Sequence, residues 1–224
     1  MSVIEVSEVS KAFLMAEGRK VPVLQNVNFK VEQGESVAIC GRSGSGKSTL
    51  LHILSGLILP DDGKVLVLDK ELSLYKENER CDFRNRFLGF VFQAFYLEQS
   101  MTALENVALP LIVQGIGKKE RNERAMDVLR KVGLEDRSGH KPSELSGGEQ
   151  QRVCIARAIV TEPRILFADE PTGNLDEKNS NMIMELLLGF TQKNTSVILV
   201  THEQEDAKRC SRILHLVDGR ISDL

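Results

Sequence analysis

Cys40-Gly41-Arg42-Ser43-Gly44-Ser45-Gly46-Lys47-Ser48-Thr49 is the stretch on which the reading of this chain turns. From Gly41 to Ser48 it fits the phosphate-loop pattern G-x-x-x-x-G-K-[ST] in full. The pattern marks a site when a strand precedes it and a helix follows. Ser36-Val37-Ala38-Ile39-Cys40 reads as a short buried strand, and Thr49 to Leu57 is apolar enough to be a helix packed on a sheet. Glycines let the backbone curl so that successive N–H groups face one anion, and the helix start adds the positive end of its dipole. The loop residues Gly41, Arg42, Ser43, Gly44, Ser45 and Gly46, with Thr49 behind them, are therefore expected to seat a triphosphate. Lys47 is expected to reach its β- and γ-phosphates, and the Ser48 hydroxyl to ligate Mg²⁺.

On the N-terminal side, Val3 to Leu14 is β-rich, Gly18-Arg19-Lys20 marks a turn, and Pro22 to Val31 alternates through Val27, Phe29 and Val31. Gly34-Glu35 turns the chain into the phosphate-loop strand. On the C-terminal side, Pro60-Asp61-Asp62-Gly63 signals a turn before a strand at Lys64–Leu68. These segments predict an antiparallel β layer beside a nucleotide-binding core. The strand Phe90-Val91-Phe92 leads to Gln93, where the texture changes. Asn122 to Gly133 places Ala125, Val128, Leu129 and Val132 on one helix face, with Gly133 as C-cap. The charged run Lys118–Arg124 reads as a solvated entry to that helix. Residues from about 94 to 160 are thus expected to form a mainly helical insertion in a single domain spanning 1–224. Arg164–Ala168 and Ser196–Val200 are buried strands flanking a helix at Asn179–Phe190, whose inward residues are Ile183, Leu186, Leu187 and Phe190. Two such strands around a helix predict a parallel core sheet, and Arg212–Ile221 closes the chain as a hairpin.

At 224 residues the chain suits one large α/β domain. A net charge of −3 leaves no basic footprint, so nucleic acid is not an expected partner. The 4 cysteines are scattered without C-x-x-C spacing and read as reduced thiols of a cytoplasmic protein, not as a metal site or a disulfide frame. The first residues lack a signal-peptide layout, and no apolar run approaches the roughly 18 residues needed to cross a bilayer. The chain is expected to be soluble on its own.

Two further stretches carry chemistry. Ile165-Leu166-Phe167-Ala168 ends in Asp169-Glu170. A carboxylate at such a strand end holds the Mg²⁺ site in phosphate-loop enzymes, a role assigned to Asp169. Glu170, one residue on, would polarise a water for in-line attack as general base. In Leu145-Ser146-Gly147-Gly148-Glu149-Gln150-Gln151, Ser146 and Glu149 have capping-box spacing. A helix starting there offers a hydroxyl, two glycine N–H groups and a dipole to an oxygen ligand. Taken alone, the stretch is equally satisfied by a well-capped helix and nothing more.

The phosphate loop at Gly41–Ser48, then Gln93, Leu145–Gln151, Asp169-Glu170 and His202, stand in the order found in ATP-binding cassette (ABC) ATPases, which this chain resembles over essentially its whole length. The resemblance implies a phosphate-loop NTPase fold of the ABC ATPase type: an α/β core with a parallel sheet, an antiparallel β subdomain and a helical subdomain carrying the signature. It implies a head-to-tail dimer with a second copy of itself, in which Ser146, Gly147, Gly148 and Glu149 complete the partner's ATP site. Gln93 would ligate Mg²⁺ with Ser48 and Asp169. His202 would contact the γ-phosphate and hold the attacking geometry with Glu170, although a histidine at a strand end is by itself more often structural. Asp176 would bridge the two sites, and Phe13 lies where the family stacks an aromatic ring on adenine, usually a tyrosine, with simple core packing the alternative.

Gly89-Phe90-Val91-Phe92-Gln93, Thr102-Ala103-Leu104-Glu105-Asn106-Val107 and Pro171-Thr172-Gly173-Asn174-Leu175-Asp176 look like the lipoprotein-release (LolD), macrolide-efflux (MacB) and cell-division (FtsE) branch. The absence of a fused membrane domain points to a stand-alone subunit of the LolD type, working with permease subunits of four helices and a large outer domain at the inner face of the cell membrane. A cell-division ATPase that signals through a permease without transport is the alternative. After Gln93 the branch often reads close to Phe-Asn-Leu-Leu-Pro, whereas this chain has Phe95-Tyr96-Leu97-Glu98-Gln99, near the groove expected to receive the permease.

Overall fold

Ser36–Cys40, Ile165–Asp169 and Ser196–Thr201 are apolar with little alternation, the pattern of strands covered on both faces, and all three are buried over nearly their whole length. The computed structural model describes residues 1–14 and 18–222. Its strands are β1 (Ser2–Leu14), β2 (Lys20–Glu32), β3 (Ser36–Cys40), β4 (Asp62–Val67), β5 (Lys70–Glu71), β6 (Leu88–Phe92), β7 (Ile165–Asp169), β8 (Ser196–Thr201), β9 (Arg212–Val217) and β10 (Arg220–Ser222). Its helices are α1 (Lys47–Leu54), α2 (Glu77–Phe87), α3 (Ala103–Val113), α4 (Lys118–Lys131), α5 (Gly147–Ile159), α6 (Glu177–Gly189) and α7 (Gln204–Lys208).

The core sheet has the order β10-β9-β3-β8-β7-β6, parallel from β9 to β6, with β10 returning antiparallel beside β9. A second sheet, β2-β1-β4-β5, is antiparallel. Successive side chains of a strand point to opposite faces, and the core strands divide accordingly between two hydrophobic clusters. Val37, Ile39, Ile165, Phe167, Ile198 and Val200 face the antiparallel sheet and α1. Ala38, Leu166, Ala168, Val197 and Leu199 face α5 and α6. The fold is thus the expected α/β one, with a parallel core sheet, an antiparallel layer and helices α3, α4 and α5 packed on one another.

Several boundaries differ from the sequence reading. α1 begins at Lys47, inside the phosphate loop, and stops before Gly56, whose φ of +68° a helix does not tolerate. α4 begins at Lys118, so the charged run forms its first turns; Gly133, at φ +70°, ends it in the left-handed conformation common after helices. In α6, Leu186 and Phe190 are half-buried, and Met184 joins Ile183 and Leu187 in the core. α2 escaped notice because Phe83 is its one buried residue, which leaves no apolar period to read.

Candidate active site

Parallel pairing aligns the ends of four strands: Cys40 lies beside Thr201, Val200 beside Asp169, and Asp169 beside Phe92. The loops leaving these ends carry Gly41–Gly46, His202, Glu170 and Gln93, so residues far apart in sequence share one edge of the sheet. Ligands of open α/β sheets bind at such edges.

The phosphate loop is tightly built. Gly44 and Gly46 stand at φ +79° and +102°. A Cβ on Gly41 would lie 2.3 Å from the Leu216 carbonyl oxygen, and one on Gly46 would lie 2.9 Å from that of Val23. Lys47 Nζ, buried, donates to the Gly41 and Arg42 carbonyls at 2.9 and 3.1 Å, which holds its charge across the loop. Ser45 Oγ is buried and has no hydrogen-bond partner among the described residues.

Burial pushes the Asp169 carboxyl above its usual range, the Ser48 hydroxyl donating to it works the other way, and the Glu170 charge adds to the rise. A desolvated carboxylate with a second carboxylate beside it is an environment that a cation relieves. Among the described residues no group of three or more His, Cys, Asp or Glu side chains converges on a metal position. A hydroxyl and a carboxylate, completed by phosphate oxygens, nevertheless suit Mg²⁺, a hard ion bound through few protein ligands. The residues present therefore fit that ion.

Glu170 stands at φ +47°, a strained value for a residue with a side chain. Its N–H donates to the Val200 carbonyl at 2.8 Å. His202 Nδ1 lies 3.1 Å from Glu170 Oε1, and Nε2 lies 3.2 Å from Glu203 Oε1, so the imidazole sits between two carboxylates. Glu170 and His202 border a cleft of 530 Å³ together with Ser43, Gly44, Gly46, Lys47, Ser48 and Thr49. Val23 of β2 also lines it, a contact that depends on how the antiparallel sheet is placed and has no signal in the sequence.

Other expected residues lie elsewhere. Gln93 is exposed, its side chain resting so close to Gly173 that a Cβ there would fall 2.8 Å from Gln93 Nε2. Phe13 does not line the cleft; it is 40% exposed near the end of β1, with Lys11 Nζ 5.7 Å from its ring centre. Ser146 caps α5 in a complete capping box: its Oγ accepts from the Glu149 N–H at 3.3 Å, and its own N–H donates to Glu149 Oε2 at 2.8 Å. The Ser146 N–H and the Ser146 hydroxyl, which also donates to Glu149 Oε2 at 2.8 Å, hold the Glu149 carboxyl below its usual range, with Arg137 behind them. Asp176 caps α6, accepting from the Asn179 N–H at 2.8 Å, and Asn179 in turn leaves no room for a side chain at Gly148. Ser146, Gly147, Gly148 and Asp176 are thus outside the cleft formed by their own chain's phosphate loop.

A parallel sheet with a phosphate loop, an Asp-Glu pair and a histidine at its strand ends defines a phosphate-loop nucleoside triphosphatase. A family profile described as "ABC transporter" matches residues 24–173. The chain belongs to that family as an ATP-binding subunit and is an ATPase. It is 48% identical over 221 residues to the uncharacterized ABC transporter ATP-binding protein MJ1508 of Methanocaldococcus jannaschii, covering 99% of this chain and 98% of that one. It is 49% identical over 203 residues to the lipoprotein-releasing system ATP-binding protein LolD of Aquifex aeolicus, covering 91% of each. Among known structures it is similar to the ATP-binding cassette MJ0796, dimeric and bound to ADP and Pi, with a TM-score of 0.90 at 40% identity, covering 98% of this chain and 97% of that one.

Proposed function

We propose that this chain is the ATP-hydrolysing subunit of a membrane ABC complex of the LolD/MacB type. In this reading it closes around ATP as a dimer and so drives lipoprotein release or peptide or drug export through separate permease subunits. The observation that carries the chemistry is the Glu170–His202 pair, 3.1 Å apart, bordering one cleft with Lys47 and Ser48.

Gly41–Gly46 would receive the phosphates on backbone N–H groups, and Lys47 would exchange its two carbonyl contacts for phosphate oxygens. Glu170 would accept the proton of the attacking water, with His202 orienting its carboxylate and reaching the γ-phosphate. Ser48 and Asp169 would hold Mg²⁺, with Gln93 joining them only once its side chain leaves Gly173, and the ion would supply positive charge at the phosphates. The signature residues lie outside their own chain's cleft. That supports a head-to-tail pairing in which Ser146, Gly147, Gly148 and Glu149 reach a second copy's nucleotide, as does the similarity to a dimeric cassette. Asp176 would then face the partner across the pair, and Phe13 would meet adenine from its exposed position at the end of β1.

A groove of 400 Å³ between α2, α3 and the end of α5 suits a permease helix. It includes Phe90, Phe92, Pro110 and the 71% exposed Val113. Arg157 on its border donates to the Phe95 and Tyr96 carbonyls, tying the divergent segment after Gln93 to the groove. Among the described residues no helix is long and apolar enough to cross a membrane, so attachment at the inner face would come through the permease.

Tagged Glu170→Gln, incubated with Mg-ATP, tests the reading. Expected are retained ATP binding, hydrolysis slowed by about 10²-fold or more, a stable dimer on size exclusion, and co-purification of a permease from native membranes. A monomer at saturating ATP would sink the sandwich. Robust ATPase activity with no membrane partner would move the protein to a soluble role, and co-purification with cell-wall machinery would favour signalling over transport.

A further inference from the structure

Gln151, in the early turns of α5, is 0% exposed on a face otherwise given to Cys154 and Ile155. Its Nε2 donates to the Pro171 carbonyl at 2.6 Å and to the Phe92 carbonyl at 3.3 Å. Those two carbonyls sit next to the residues on which the chemistry turns: Phe92 precedes Gln93, and Pro171 follows Glu170. The two contacts set the orientation of the amide, since turned over it would aim Oε1 at two carbonyl oxygens. Gln151 Oε1 is buried with no partner among the described residues. Native structures seldom keep such an orphan without a reason.

The Glu170 loop needs holding, because Glu170 is left-handed at φ +47°. Local bonds run from the Glu170 N–H to Val200 and from the Gly173 N–H to the Glu170 carbonyl at 3.2 Å. On one side, Thr172 Oγ1 donates to the buried Asp206 of α7 at 2.6 Å. On the other, Gln151 ties the loop to the helix that Ser146 caps.

We propose that Gln151 is a positioning residue: it fixes the Glu170 loop against the Gln93 end of β6 and passes the placement of the signature helix to Glu170. The proposal rests on the reading of Glu170 as general base. A rigid helix bonded directly to both strand ends moves them together, and a direct bonded link of this kind is what physical coupling between sites requires. When the signature of one subunit engages the nucleotide of another, any shift of α5 would be felt at that subunit's own Glu170.

The test is a double-mutant cycle of wild type, Gln151→Leu, Glu170→Gln and the combination, measured by single-turnover ATP hydrolysis, nucleotide affinity and melting temperature. Gln151→Leu is expected to lower hydrolysis by about 10- to 100-fold while nucleotide affinity stays within about 3-fold. In the Glu170→Gln background it should cost no more than about 2-fold, because no base remains to be misplaced. An equal loss in both backgrounds, or no loss in either, would overturn the positioning role and leave the general base standing. Wild-type hydrolysis by Glu170→Gln alone would overturn the general base, and this proposal with it. Should Gln151→Leu fail to fold, Gln151→Met, unbranched and of similar length, completes the same cycle with the same outcomes.

Discussion

Gly46 concentrates the residue-scale physics of the site. Its φ of +102° is open to glycine, and a Cβ there would press on the Val23 carbonyl oxygen and the Leu24 side chain. Gly46→Ala is therefore expected to destabilise the fold by about 1–3 kcal/mol and to weaken ATP binding by about 10-fold or more, read by thermal melting and calorimetric titration. Unchanged binding would mean that the loop adapts and that its glycine geometry does not set the phosphate seat. At this scale much was legible: Lys47 and Ser48 follow from the phosphate-loop pattern and Glu170 from its place after a buried strand, whereas His202 was legible only through the family resemblance, and the structure gathers all four at one cleft. Val23 was not legible, since a valine in an alternating strand carries no mark of the cleft it borders. Gln151 had a faint signal, a polar residue on an apolar helix face, which the capping motif beside it obscured.

For elements, the capping box at the start of α5 shows how one local motif serves two ends. Ser146 and Glu149 satisfy backbone N–H groups that the helix leaves open, and the Glu149 carboxyl is held below its usual range chiefly by the Ser146 N–H and then by the Ser146 hydroxyl. A carboxylate depressed in the folded state contributes stability above its unfolded pKa of about 4.3 and loses it as pH falls through the folded value. Glu149→Ala should thus cost about 0.3–1.5 kcal/mol at neutral pH, with the gap from wild type closing below about pH 4. Melting curves from pH 3 to 7 would check this, and a gap that stays constant would show that the ionised cap contributes nothing. Element boundaries were where sequence reading slipped. α4 starts early because charged residues are good helix formers even where no apolar period announces them, and α2 has almost no apolar face at all.

In the molecule as a whole, the groove between α2, α3 and α5 and the cleft at the phosphate loop share no lining residue; β6, which gives Phe90 and Phe92 to the groove, pairs with β7, after which Glu170 borders the cleft. Val113→Asp should leave basal ATPase activity within about 2-fold, because it touches no part of the cleft, yet abolish co-purification with the membrane partner by placing a charge in an apolar seat. Retained co-purification would move the docking site elsewhere. By itself the sequence determined the phosphate loop, the parallel strands and the capped signature helix, because each rests on local chemistry: glycine freedom, unbroken apolar runs, and a hydroxyl three residues before a carboxylate. The tertiary structure alone decided which strand ends align and that Val23 borders the cleft. It also left Phe13 and Gln93 outside the lining of the cleft and set Gln151 between the Phe92 and Pro171 carbonyls. Those outcomes depend on strand register and on packing between segments distant in sequence, and no local pattern encodes them.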